Sequence, residues 1–303
     1  MDHRAAERRV LEAVGGRDLV QVMADLPGAD LTTLLLAVAR ARVERLSPAD
    51  VLRAYAQGRF VVPARVPFGA LRRAEEAFLS ALGDEWKAIV LSPLVPFGTH
   101  ATTGELSQDR VVSTIRGSEV AADPTNGLCL EIAARRRRAR REPTRLATIQ
   151  RIVRAQRFEG APSHFSIFAL VTGGRDVGSL RFESEALAEH VSIHVQGVRA
   201  AGARSVRILL TDLTNGEQDS VLSDVAGGFD NVPDVLVERD PDRTDGRHYY
   251  ESFCFKMRAD LGEGEFEVSD GGFVGWTASL LQDRKERLCI SGSGLDNVAS
   301  SIK

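Results

Sequence analysis

Apolar residues return every three or four positions along much of the first eighty or so residues. In RAAERRVLEAV, GADLTTLLLAVARARVERL and SPADVLRAYAQG this is the spacing of amphipathic helices. Ser47-Pro48-Ala49-Asp50 supplies a helix start, a capping serine with proline in the first turn. A further helix is predicted over ALRRAEEAFLSALG, ended by Gly83. From Trp86 the period shortens towards two. WKAIVLSPLVPFG reads as a strand stopped by Pro93 and Pro96, and DRVVSTI and the region of Glu119 as short strands. NGLCLEIAARRRRARRE returns to helix. TIQRIVRAQRFEG and HFSIFALVTGG are predicted as strands joined by a Gly-Ala-Pro-Ser turn, an antiparallel hairpin. A helix (SEALAEHVSIHVQGVRAAG) and a strand (SVRILLTDL) follow. TDGRHYYESFCFKM and GEFEVSDGG are strands, GWTASLLQ a helix, RLCISGSG a strand, and the chain closes on a helical turn.

In TDGRHYYESFCFKM the alternation puts Phe253, Phe255 and Met257 on one face, and Ser252, Cys254 and Lys256 on the other. A strand running through Tyr249 and Tyr250 sends the two tyrosines to opposite faces, so at most one serves the core. Hairpin-linked strands with helices interposed, but not alternating, predict an α+β fold built on an antiparallel sheet flanked by helices. A helical N-terminal extension is expected over residues 1–66 and the main domain over 67–303.

Composition narrows the function classes. The 303 residues are 43% hydrophobic and 27% charged with net charge −3, enough chain for a sizeable core and too acidic for a protein that coats nucleic acid. Cys129, Cys254 and Cys289 are far apart and form no CxxC pair, so neither a zinc ribbon nor a disulfide scaffold is indicated, and a reducing compartment is expected. The N-terminus, MDHRAAERRV, carries charges where a signal peptide needs an apolar core, and no apolar run is long enough to span a bilayer. The sequence therefore reads as cytoplasmic, with no membrane partner.

The densest charge feature is the arginine run Arg135 to Arg141, which wraps its helix instead of forming one face. It reads first as a solvated helix end favoured by the helix dipole, and second as a contact for phosphate or RNA. His190 and His194 stand four apart, as a metal pair would, but no third ligand accompanies them. Surface or partly buried histidines are the simpler reading, and no metal is expected. Ser291-Gly292-Ser293-Gly294 matches neither phosphate-loop pattern, because Asn297 stands where the last glycine would be. No GxSxG elbow is present. In RAQRFEGAPSHFSIF, Arg157 and Glu159 share one face of the hairpin's first strand, with His164 and Phe168 past the turn. This suits either a bidentate grip on phosphate or a plain cross-strand charge pair.

Taken in order, these pieces resemble the catalytic domain of class II aminoacyl-tRNA synthetases, the histidyl branch above all, over about residues 70–303. ALRRAEEAFLSALGDEWKAIVLSPLVPFG resembles the first motif, a helix and a strand ending in proline, here Pro93. The resemblance implies a homodimer through that region. RAQRFEGAPSHFSIF resembles the second motif, implying that Arg157 holds the ATP α-phosphate, that Glu159 sits by the adenine and that Phe168 is the motif's aromatic. DGRHYYESFCFKM resembles the histidyl Arg-Gly-Leu-Asp-Tyr-Tyr signature through Gly246, Tyr249 and Tyr250, with His248 at the aspartate. One tyrosine is then expected to face the substrate and the other the core. SDGGFVGW resembles the Gly-Gly-Arg-Tyr-Asp segment through Gly271 and Gly272, and LCISGSGLDNV the third motif through Gly292 and Gly294.

The resemblance thus implies ATP with Mg as cofactor and a pocket for an amino acid or other small carboxylate. Its ATP side is Arg157, Glu159, Phe168, Gly292 and Gly294. Its substrate side is Asp123, Thr125, Asn126, His248, Tyr249, Tyr250, Asp270, Gly271 and Gly272.

The departures are specific. Asp245 replaces the signature arginine, with Arg247 two residues on as a stand-in, and Asn297 replaces the third-motif arginine. Asp123-Pro124-Thr125-Asn126-Gly127 stands for Arg-Pro-Glu-x-Thr, and neither an insertion domain nor an anticodon-binding domain is expected in this sequence. Each desolvated arginine–phosphate contact is worth about 1.5–3 kcal/mol, so losing both depresses adenylation by orders of magnitude. Charging a particular tRNA is therefore not expected. Two readings lead. The first is an ATP-dependent ligase that activates a carboxylate with Arg157 and Arg247 as catalytic groups and passes it to a non-tRNA acceptor. The second is a non-catalytic amino-acid- or nucleotide-binding regulatory subunit, resembling that of ATP phosphoribosyltransferase. A nucleic-acid-binding module using the run from Arg135 to Arg141 is a weaker third.

Overall fold

Two periodicities divide the chain where the sequence does. A computed structural model describes residues 3–14, 18–104, 106–139, 142–156, 162–214 and 220–302. The first helices are α1 (His3–Ala13), α2 (Leu19–Ala24), α3 (Gly28–Val43), α4 (Pro48–Gln57) and α5 (Phe68–Leu79). Ser47 and Asp50 cap α4 reciprocally, as its start signal predicts. No residue of α2, α3 or α4 is fully buried. The first that helps build the core is α5, through Leu71, Ala74 and Phe78.

Beyond α5 come β1 (Lys87–Ala88), β2 (Leu94–Pro96), α6 (Thr99–Thr103), β3 (Ser118–Val120), α7 (Pro124–Arg136), β4 (Thr144–Val153), β5 (His164–Arg175), α8 (Arg181–Ala200), β6 (Ser205–Asp212), α9 (Ser220–Gly227), β7 (Val235–Arg239), β8 (Phe253–Asp260), β9 (Glu265–Phe273), α10 (Trp276–Leu281), β10 (Glu286–Gly294) and α11 (Leu295–Ser301). An eight-stranded sheet runs β1-β4-β5-β10-β9-β8-β6-β7, and β2 pairs with β3. Its interior pairings are antiparallel, while β1 on β4 and β6 on β7 at the two edges are parallel.

The sheet divides two cores. On one face α5, α8 and α11 pack over Phe168, Phe253, Phe255 and Met257. Gly197 of α8 lets Phe78 of α5 come so close that a Cβ would lie 2.6 Å from its ring. On the other face α7, through Leu128 and Ile132, and α10, through Trp276, pack over Ile152, Cys254 and Ile290. The alternation of β8 is as predicted: Phe253, Phe255 and Met257 belong to the first core and Cys254 to the second.

Three expectations need correcting. The strand at 86–96 shrinks to β1 and β2, because the prolines leave only short ladders. The strand of TDGRHYYESFCFKM begins at Phe253. The tyrosines lie before it in a turn where Gly246 has φ +72°, and both their amides donate to the Gly246 carbonyl, at 3.0 and 3.2 Å. Strand alternation therefore does not separate them. The arginine run is not a uniformly solvated helix end either. Arg136 is wholly buried and ion-paired with buried Glu286, with its Nη1 donating to the Glu142 and Gly173 carbonyls. Arg137 and Arg138 are exposed, and Arg140 and Arg141 lie outside the described residues. The sequence did not predict α2, α6, α9 or β7, each at most eight residues long.

Candidate functional site

A cleft of about 730 Å³ opens on the α7 side of the sheet. Its floor is formed by β5, β9 and β10, with Ile167, Ile290, Gly292 and Gly294. A Cβ on Gly294 would meet nothing within 4 Å, and one on Gly292 would lie 3.1 Å from Ile167, so the two glycines keep the floor open. The start of α7 forms one wall, residues 154–156 beyond β4 a second, and the turn from Thr244 to Tyr250 a third.

The α7 wall is preorganised by hydrogen bonds. Asp123 caps the helix, accepting from the Thr125 amide (2.9 Å) and hydroxyl (2.7 Å), and its other oxygen is 3.7 Å from Arg154 Nη2. Arg154 donates through Nε to the Ala122 carbonyl (3.1 Å) and lies 5.3 Å over the ring of Phe165. Buried His100 accepts at Nε2 from the Ala122 amide (3.0 Å), so its Nδ1 proton faces Asn126 Oδ1 at 2.7 Å. Asn126 in turn donates to Thr103 Oγ1 (3.1 Å). Both ends of that amide are fixed before any ligand arrives.

The turn wall carries the tyrosines and a buried ion pair. Arg243, 3% exposed, places Nη2 2.9 Å from both oxygens of Asp270, donates through Nε to the Asp245 carbonyl (2.7 Å) and sits 5.4 Å from the ring centre of Tyr250. Its Nη1 has no hydrogen-bond partner among the described residues. Tyr249 meets Tyr250 edge-on at 5.0 Å and Trp276 at 5.6 Å. Burial holds both phenols well above the ordinary tyrosine range, Asp123 adding to the effect on Tyr249 and Asp270 on Tyr250. Burial also raises the Asp270 carboxyl, with Arg243 pulling the other way. Both tyrosines therefore stay neutral donors.

The cleft's charges are largely spoken for. Arg154 pairs with Asp123, Arg243 with Asp270, and Lys256 with Glu267 at 3.2 Å. Exposed Arg110 and Arg247 at the rim have no carboxylate partner among the described residues.

Of the residues singled out in the sequence, Asp123, Thr125, Asn126, Arg247, His248, Tyr249, Tyr250, Asp270, Gly292 and Gly294 come together around this cleft. Phe168 does not: it is fully buried in the opposite core, 5.2 Å from Phe78 and 5.7 Å from His194. Strand alternation decides this, since Phe165 and Ile167 take the cleft face of β5. Gly271 and Gly272 are packing glycines. A Cβ on Gly271 would be 2.4 Å from Ser291, and one on Gly272 2.6 Å from Cys254 and 2.8 Å from Tyr250. Arg157 and Glu159 lie outside the described residues.

His190 and His194 are not surface residues. They are completely buried and joined in a chain running Thr172, His190, Ser291, His194, Ser293, Ser269, with contacts of 2.5–2.9 Å. No cluster of three metal-ligating side chains occurs among the described residues. Arg154, Arg243 and His100 were missed; their places depend on partners twenty or more residues away.

Neither a protein-family model nor a curated protein sequence matches the chain. Solved structures do. An ATP phosphoribosyltransferase regulatory subunit/histidyl-tRNA synthetase from Bacillus halodurans superposes with TM-score 0.63 at 12% identity, over 80% of this chain and 82% of that one. The fold is that of histidyl-tRNA synthetase. Apo histidyl-tRNA synthetase from S. aureus gives TM-score 0.61 at 12% identity over 79% of this chain and 72% of that one. A histidine–tRNA ligase subunit from Alicyclobacillus acidocaldarius gives 0.57 at 12% identity, over 79% and 95%. The large mixed sheet flanked by helices is thus the histidyl-type class II architecture.

Within that architecture two features expected of an ATP site are missing among the described residues, while Gly292, Gly294 and a different aromatic of β5, Phe165, do face the cleft. The expected aromatic, Phe168, is in the wrong core, and Asn297 on the rim is neutral. Beside it the buried Asp296 carboxylate is paired with Arg151 (3.1 Å) and accepts from the Ser166 amide (2.8 Å), so Arg151 is already committed to a carboxylate. Among the described residues, no helix is long and apolar enough to cross a membrane.

Proposed function

We infer that this chain is a ligand-binding relative of the histidyl-tRNA synthetase fold that does not adenylate, and that its ligand is a small amino acid or similar zwitterion. One observation supports the reading: the polar end around Asp123, Thr125 and Asn126 is fixed by internal hydrogen bonds, whereas two of the features expected to grip a nucleotide, Phe168 and an arginine at 297, are displaced or replaced. Asp123 and Asp270 suit an ammonium group, and the rim arginines Arg110 and Arg247 a carboxylate. The consequence is regulatory: occupancy is passed to a partner protein. A homodimer through the Pro93 region accords with exposed Val90, Leu94 and Phe97.

The test is a melting-temperature screen across the amino acids without ATP. A ligand at a hundred times its Kd adds about 2.7 kcal/mol, on the order of 5 °C for a chain this size. Asp123→Asn, which keeps the helix cap and loses the charge, should abolish that shift. No shift with any amino acid overturns the reading.

The ligase reading retains one specific support, the Arg157-x-Glu159 sequence in the hairpin. It requires ATP with Mg and a non-tRNA acceptor. Amino-acid-dependent pyrophosphate exchange, lost in Arg157→Ala, would establish it in place of the binding reading.

A further inference from the structure

The segment joining the N-terminal helices to α5 reaches the cleft wall. Arg59, just beyond α4, forks across the ends of both hairpin strands. Its Nη1 donates to the Gln156 carbonyl (3.3 Å) and to Ser163 Oγ (2.7 Å), and its Nη2 to the Ala155 carbonyl. The same guanidinium stacks 4.1 Å from the ring centre of Phe60. Nearby, the Val62 carbonyl faces His164 Nε2 at 2.7 Å, which must donate. His164 Nδ1 is then the acceptor for Arg151 Nη1 (3.0 Å), and Arg151 Nη2 holds Asp296 at the start of α11.

Residues 154–156 lie past the last register pair of the hairpin, Val153 opposite His164. They need other support to hold their shape, and they carry Arg154 and Gln156 into the cleft. One side is fixed by the Ala155 amide donating to the Arg110 carbonyl (3.0 Å) and the Arg154 amide to the Ser163 carbonyl (2.8 Å). The other side is fixed by Arg59. Only a planar fork serves three acceptors spread over two chain segments, which a lysine's single ammonium cannot span.

We propose that Arg59 is a positioning residue for the cleft: the segment before α5 completes the wall that presents Arg154 and Gln156, so ligand affinity is set partly from outside the sheet domain. The consequence for affinity rests on the ligand-binding reading above; the consequence for the wall does not.

The experiment uses the full chain, first without ligand. Hydrogen–deuterium exchange in Arg59→Ala should quicken about tenfold at the amides of Arg154 and Ala155, as the loss of one or two supporting hydrogen bonds gives. Exchange in β8 and β9 and the melting temperature should hold, and Arg59→Lys should fall between. Unchanged exchange at 154–155, or equal quickening throughout the sheet, overturns the proposal. The second arm titrates whichever free amino acid gives the largest melting shift. Affinity should fall about tenfold in Arg59→Ala and recover in part in Arg59→Lys. Altered exchange with unaltered affinity overturns the positioning role. If no amino acid shifts the wild type, the ligand reading fails alone, and the exchange arm still decides whether Arg59 holds the wall.

Discussion

His190 and His194 make the fold acid-sensitive over a window set by their own rings. Both are wholly buried between α8 and the sheet. Thr172, Ser291 and Trp86 face His190, while Ser291, Ser293 and the rings of Phe78, Phe168 and Phe255 face His194. No carboxylate among the described residues hydrogen-bonds either imidazole. Burial lowers His194 to about 3, and it pushes His190 well below the ordinary histidine value, with His194 and Arg145 adding to it.

The unfolded chain therefore binds protons that the folded chain refuses. Each histidine contributes stability that is complete above pH 6.5, the ordinary value, and is lost as pH falls towards the folded one. The slope is about 1.4 kcal/mol per pH unit for each ring, so roughly two units below the ordinary value His194 alone has removed about 2.7 kcal/mol. Urea unfolding from about pH 7.5 to about pH 4.5, followed by tryptophan fluorescence, measures this. His194→Gln can still bond Ser291 and Ser293 but binds no proton, so its stability should fall less steeply by about one proton's slope. Carboxylate contributions are common to both proteins and cancel in the difference. Parallel stability–pH curves would refute the reasoning.

Three further outcomes follow from packing and charge. Arg136→Met leaves buried Glu286 only Arg175, 3.4 Å away, as a cationic partner and should cost about 1–3 kcal/mol by chemical denaturation, while Arg136→Met with Glu286→Met should recover most of it. Gly272→Ala drives a methyl into Cys254 and Tyr250 and should cost about 1–3 kcal/mol, visible as a lower melting temperature. Gly294→Ala meets no atom and should leave stability within about 0.5 kcal/mol. By calorimetric titration the same change should nevertheless weaken any ligand that lies on the cleft floor.

The parts of the fold that could be read in the sequence are those whose signal is local. The cap at Ser47, the alternation of β8 and the helical period of α8 each need only neighbouring residues. Phe168 was misplaced because a motif's aromatic gives no face, whereas the register of β5, with Phe165 towards the cleft, does. Arg136 was read as solvated because its partner, Glu286, is 150 positions away. The histidines were underrated for the same reason: four-residue spacing cannot reveal that Ser291 and Ser293 lie beneath them.

The signature arginine shows where reading by motif stops. Alignment on the tyrosines leaves Asp245 at its place and offers Arg247 as substitute, yet Arg247 lies exposed on the rim. The arginine that does enter the wall is Arg243, six residues before the first tyrosine, and its position follows from chemistry: Asp270 on β9 is desolvated by burial, and Arg243 Nη2 is shared between its two oxygens. That partnership has a cost for catalysis. A guanidinium with Nη2 fixed on a carboxylate and Nε on the Asp245 carbonyl cannot also swing to a phosphate without stranding Asp270. With Nε and Nη2 so committed, Nη1, which has no partner among the described residues, is the part of this guanidinium left to meet a ligand.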